Sequence, residues 1–116
     1  MLSFHGGLRI FVALRPCDMR KSFNSLHGLI LEQLNEDPQS GALFVFSNKR
    51  RNRLKIFYFD GCGTWVMARR LEKGTFNWPF PVEGSDSKIG LSPEALQLLL
   101  DGVDLKQGSL RPWYRK

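Results

Sequence analysis

The chain has 116 residues, 42% of them hydrophobic and 24% charged, and its 17 Lys/Arg against 11 Asp/Glu leave a formal charge of +6. That length predicts one domain over 1–116, with no apolar run near the roughly 20 residues of a membrane span and no signal-peptide start, so a soluble intracellular protein is expected. Cys17 and Cys62 stand apart, with no C-x-x-C pair or nearby histidine, and read as free thiols rather than as zinc ligands or a disulfide framework.

Residues 8–14 alternate, with Leu8, Ile10, Val12 and Leu14 on one side and Arg9, Phe11, Ala13 and Arg15 on the other, which predicts a strand stopped by Pro16. Asp18 is the expected cap of a helix whose apolar face is Phe23, Leu26, Ile30 and Leu34, running to about Asn35 before Asp37-Pro38 ends it. Three short β-forming runs follow at 42–46, 53–59 and 64–70, separated by turn chemistry, and predict an antiparallel meander. The Asp60-Gly61-Cys62-Gly63 turn sets Phe59 against Thr64, and a loop over 47–52 would set Phe46 against Arg53.

These registers divide the side chains between two faces. Leu43, Val45, Leu54, Ile56, Tyr58, Trp65 and Met67 form an almost purely apolar face, the expected seat of the first helix. The other face carries Phe44, Phe46, Phe57, Phe59 and Val66 among Arg53, Lys55 and Arg70. Its phenylalanines could stack nucleic-acid bases, but cover by a second helix, the first strand or another subunit is the preferred reading of so apolar a patch. Phe76 and Trp78 precede a Pro/Gly/Ser-rich stretch over 79–90, read as loop. Ser92 then caps a short C-terminal helix with Pro93 at its first position, stopped by Gly102.

The charge is local. Residues 49–73 hold Lys49, Arg50, Arg51, Arg53, Lys55, Arg69, Arg70 and Lys73 against Asp60 and Glu72, and the remaining charges balance. Such clustering is the electrostatic footprint expected of phosphate contact; the plainer alternative is a solvated turn that keeps a sheet edge soluble. A smaller basic bias at 106–116, with Arg111, Arg115 and Lys116 around Pro112, Trp113 and Tyr114, reads as a flexible tail beyond a core at about 8–105. Catalytic readings are weak. His5 and His27 have no partners at metal or catalytic spacing, and Glu32 and Glu36, four apart, read as a solvated helix face, so neither an enzyme, a metal nor a cofactor is expected.

The stretches Asp18-Met-Arg-Lys-Ser-Phe, Gly41-Ala-Leu-Phe-Val-Phe-Ser-Asn-Lys-Arg-Arg-Asn-Arg-Leu-Lys, Asp60-Gly-Cys-Gly-Thr-Trp and Arg70-Leu-Glu-Lys-Gly-Thr-Phe-Asn-Trp-Pro resemble a known family. It is the TnpB-type accessory protein of the bacterial insertion-sequence family sixty-six, unrelated to the RNA-guided nucleases of the same label. The likeness runs from Leu8 to Val103. It implies a non-enzymatic, cytoplasmic role in transposition beside a DDE-type transposase and a second element-encoded protein, with no catalytic residues to carry over. Its motif positions fall on Asp18, Arg20, Lys21, Arg50, Arg51, Arg53, Lys55, Arg70, Lys73 and Trp78, overlapping the basic window.

The expectation is therefore an α+β domain: an antiparallel meander sheet of four or five strands, the N-terminal helix on one face and a short C-terminal helix closing an edge. Its expected partner is DNA at insertion-sequence ends, held through Lys49, Arg50, Arg51, Arg53 and Lys55 with Arg69, Arg70 and Lys73 in support. The alternative is a protein-interaction module that docks on the transposase or on a second copy of itself. RNA is a third, weaker candidate.

Overall fold

A computed structural model describes residues 7–79 and 87–101. In chain order the elements are β1 (Ile10–Ala13), α1 (Phe23–Glu32), β2 (Leu43–Ser47), β3 (Arg53–Phe59), β4 (Thr64–Arg70), β5 (Lys88–Leu91) and α2 (Pro93–Asp101). The strands form one sheet in the order β4-β3-β2-β1-β5. The meander β2-β3-β4 is antiparallel as expected, but the sheet is mixed, because β1 runs parallel to β2, with Ile10 opposite Leu43 and Val12 opposite Val45. A parallel neighbour needs a crossover, and α1 supplies it.

The β3-β4 register sets Phe59 against Thr64, as the turn chemistry requires. Gly61 takes φ +100°, a conformation that suits glycine at the first central position of a two-residue hairpin turn. In the β2-β3 pair Phe46 lies opposite Lys55 rather than Arg53. The register is tighter than expected because Ser47 still belongs to β2 and pairs with Leu54. A slip of two residues keeps every side chain on its face, so the division of faces holds.

The layers over those faces are exchanged relative to expectation. α1 covers the phenylalanine face: Leu26, Ile30 and Leu34 are buried with Phe44, Phe46 and Phe57, and Phe44 meets Phe57 edge to face at 6.4 Å between centroids. The aliphatic face of Ile10, Val12, Leu43, Val45, Leu54 and Ile56 is covered by Leu96 and Leu99 of α2 and by Phe76 and Trp78. α2 therefore roofs a face instead of closing an edge. Alternation along strands separates the two faces but does not say which helix lies on which; that depends on where β1 joins the sheet, since a parallel crossover has one favoured hand.

Local chemistry explains the helix ends. Ser22, not Asp18, is the cap of α1, and its N–H donates to Ser25 Oγ at 3.0 Å. Asp18 instead turns to Arg20, accepting from its side chain at 2.7 Å. α1 stops at Glu32, earlier than expected, and Asn35 takes φ +52° while the Glu36 N–H reaches the Ile30 carbonyl at 3.1 Å. α2 begins as predicted, with Ser92 Oγ accepting from the Ala95 N–H at 3.1 Å.

Strand β5 lies at the end of a stretch read as loop. Four residues flanked by serines and containing Gly90 give little strand signal, and its order comes from pairing with the free edge of β1. Lys88 fixes it further, donating to the Leu34 carbonyl at 2.7 Å and pairing with Glu36 at 3.2 Å, both side chains largely buried. Glu36 is thus past the helix and inside an ion pair, not on a solvated helix face beside Glu32. His5, the Gly102 stop and the basic tail at 106–116 lie outside the described residues.

Candidate nucleic-acid interface

The sheet topology gathers three connections at one end. β1 and β2 are parallel and finish there; β3 begins and β4 finishes there. Short hydrogen bonds tie the connections together: the Cys17 N–H donates to the Ser47 carbonyl at 2.9 Å, the Leu71 N–H to Asn52 at 2.9 Å, and the Phe76 N–H to Arg51 at 2.7 Å. Within the β2-β3 loop, Asn48 Oδ1 accepts from the N–H groups of Asn52 and Arg53, each at 3.1 Å, so its backbone is fixed by side-chain chemistry. The basic residues of the 49–73 window thereby fall at one end of the molecule.

They do not all face water. Lys49 and Arg50 are exposed on the loop, and Lys73 is exposed in the turn after β4. Arg53 and Arg70, both exposed, stand directly opposite each other on neighbouring strands. The Asp60 N–H bond to Gly63 closes the hairpin at 3.0 Å, which makes Arg53 and Arg70 a non-hydrogen-bonded pair, the kind with the closer side chains. Like charges so placed repel. Arg70 meets the Glu72 carboxylate at 3.5 Å, an exposed contact of small energetic weight.

Three members of the window are tied into the fold. Arg51, at φ +60°, donates from Nη2 to the Leu14 carbonyl at 2.9 Å and lays its guanidinium over the Trp78 ring, 5.0 Å from its centroid. Burial pushes its pKa down from the usual arginine value. Lys55 donates from Nζ to the Lys21 carbonyl at 2.6 Å, just ahead of α1. Arg69 points to the opposite face, where Nη1 donates to the Leu100 carbonyl at 3.1 Å near the end of α2. Trp78 is buried too, its Nε1 donating to the Ala13 carbonyl at 3.0 Å.

The remaining motif positions join the same end. Arg20 is 91% exposed and pairs with Asp18, which its hydrogen bonds hold down at a pKa of about 2. Lys21 is half-buried beside Lys55. Arg15, exposed just after β1, leaves the sheet at this end as well and was not legible as part of the cluster, because only parallel pairing of β1 with β2 brings it there. Between Arg53, Lys55, Arg70, Met19, Ala68 and Glu72 lies an open depression of about 300 Å³, room for a phosphodiester.

Three of the four phenylalanines in the base-stacking reading are covered, and Phe59 is half-buried. Phe44, Phe46 and Phe57 are 0%, 2% and 1% exposed beneath α1. Among the described residues no group of His, Cys, Asp and Glu could hold a metal ion. His27 lies half-buried with its ring 6.3 Å from that of Phe57, and burial pushes the Cys17 thiol up, away from the thiolate a nucleophile needs. None of the described helices is long and apolar enough to cross a membrane. What this end offers is clustered positive charge on hydrogen-bonded loops.

The family model for IS66 Orf2-like proteins matches residues 8–109. Two proteins of Sinorhizobium fredii (strain NBRC 101917 / NGR234) are similar along nearly their whole length. The uncharacterized protein y4jC is 41% identical over 106 residues, covering 91% of this chain and 88% of its own. The uncharacterized protein y4hO is 36% identical over 114 residues, 97% and 96% of the two chains. No solved structure matches.

Proposed function

Because the chain belongs to the IS66 Orf2-like family, with its accessory role connected to transposition, we propose that it acts without catalysis of its own by holding DNA through the basic end of its sheet. In this reading Lys49, Arg50, Arg53, Arg70 and Lys73 contact phosphates, with Arg20 beside them, and the protein works in the bacterial cytoplasm at insertion-sequence ends. It works there together with the DDE-type transposase and the other element-encoded protein. Arg51, Lys55 and Arg69 shape and support this surface but keep their own partners.

The observation that carries the reading is the facing pair of Arg53 and Arg70. Two exposed arginines at directly opposed strand positions repel, Glu72 offsets only one of them, and a phosphate between them would accept hydrogen bonds from both. Phosphate contacts supply affinity and position without reading sequence, so the choice of site would come from the partners.

Mobility-shift titration of element-end duplex with wild type and an Arg50/Arg53/Arg70→Ala variant tests this. Taking three guanidinium groups away from the phosphates should weaken binding by about tenfold or more at moderate salt. Arg51 is left in place because its removal would disturb the fold. Equal binding by both proteins, or none by either, overturns the reading. The Glu72 carboxylate already resting on Arg70 favours a second use of the same end, docking on an acidic surface of the transposase. In that case pull-down of the transposase survives nuclease treatment and is lost in the triple variant.

A further inference from the structure

The two edges of the sheet are built differently. β5 is four residues long, contains Gly90, and is fastened through Lys88 to Leu34 and Glu36. β4 runs seven residues in unbroken register with β3, without proline or bulge, and has no strand on its outer side among the described residues. A long, regular, open edge is a template for another strand.

The hairpin hydrogen bond between Asp60 and Gly63 fixes which groups are open. Counting from it in alternate steps, Trp65, Met67 and Arg69 bond inward to β3, and Thr64, Val66, Ala68 and Arg70 direct their N–H and C=O outward. We propose that two copies of this chain pair through these edges, antiparallel, about a two-fold axis at Met67. In that register Thr64 bonds Arg70 of the other copy and Val66 bonds Ala68, so every outward backbone group of the strand is matched. No other antiparallel register allowed by the outward groups matches all four.

The side chains of β4 suit this register. On the aliphatic face it sets Met67 against its own copy and Trp65 against Arg69, in the closely spaced non-hydrogen-bonded positions. Trp65 is 45% exposed, and its Nε1 donates to Asp60 Oδ2 at 2.9 Å, which restrains the ring. The Arg69 guanidinium of the other copy, its Nη1 still bonded to its own Leu100 carbonyl, would lay its face against that ring as a cation–π pair, at both ends of the interface. The same register keeps each Arg70 opposite a threonine and not opposite another cation. A parallel arrangement would stack Arg69 on Arg69 and Arg70 on Arg70, so the strand selects an antiparallel second copy as its occupant.

Sedimentation equilibrium of the full chain up to about 0.2 mM reads the association directly. Wild type should sediment as a dimer. Ala68→Pro removes an outward N–H while leaving the bonds to β3, a substitution an edge strand tolerates, and should raise the dimer dissociation constant by about tenfold or more with an unchanged circular dichroism spectrum. Trp65→Lys should also weaken the dimer by setting Lys against Arg69, and Trp65→Lys/Arg69→Glu should restore it. A monomeric wild type, an Ala68→Pro variant that folds and still dimerises, or a charge swap that fails to restore the dimer each overturns the proposal. The Arg50/Arg53/Arg70→Ala variant should remain dimeric, so loss of DNA binding and loss of self-association are read separately.

Discussion

Two neighbouring arginines show how far residue type alone underdetermines role. Arg50 is exposed, whereas Arg51 sits at φ +60°, half-buried, bonded to the Leu14 carbonyl and stacked on Trp78. A non-glycine residue in the left-handed region carries a cost of about 1–2 kcal/mol, here offset by those side-chain contacts. Arg51→Ala keeps the backbone cost and leaves the buried Leu14 carbonyl unpaired, so it should destabilise the fold by about 1–3 kcal/mol in urea denaturation. Arg50→Ala should stay within about 0.5 kcal/mol of wild type. Asp18 gives a second residue-scale prediction. The hydrogen bonds from Arg20 hold its pKa at about 2, below the unfolded value, so the stabilisation it gives is fully present above the ordinary aspartate range and disappears as pH falls through about 2. A carboxyl NMR titration should place Asp18 there, and Arg20→Gln should return it toward the usual range; an Asp18 that titrates normally in wild type contradicts the ion pair.

At the scale of elements, the hairpin and the helix layers behave differently toward sequence. The Asp60 carboxylate accepts from the N–H groups of Cys62 and Gly63, each at 2.8 Å, while Gly61 supplies φ +100°. Gly61→Ala should therefore cost about 1 kcal/mol or more, measured as a lower urea midpoint with an unchanged slope. The same short-range chemistry made this turn, its register and the start of α2 at Ser92-Pro93 readable in advance. The exchange of α1 and α2 between faces was not readable, because both faces of the sheet are apolar and either could receive an amphipathic helix. Only the insertion of β1 beside β2, a pairing of residues some thirty positions apart, decides it. Phe23 marks the same limit: it keeps the spacing of Leu26 and Ile30 but is 50% exposed at the first turn of α1. Leu26→Ala, by contrast, opens a hole beneath the helix at a fully buried position and should cost about 2–5 kcal/mol, a large share of a small domain's stability.

Over the whole molecule, what matters is that cations scattered along the chain are drawn to one end of one sheet. The sequence window 49–73 already located most of them, yet it could not sort Arg53 from Lys55, since both stand on the same face two residues apart and differ only in what folds over them. Lys55 reaches the carbonyl ahead of α1; Arg53 is exposed and faces Arg70. That sorting sets a quantitative expectation for salt. Removing one cation from a phosphate lowers the slope of log affinity against log salt by roughly 0.9 on duplex DNA. Arg53→Gln and Arg70→Gln should each reduce it by about that amount, and by similar amounts on unrelated duplex sequences, since a phosphate carries no base information. Arg9, exposed ahead of β1 at the opposite end of the sheet, serves as the control: Arg9→Gln removes the same charge and should leave the slope unchanged. If all three substitutions act alike, net charge alone governs binding, and the clustering at the loop end of the sheet has no part in it.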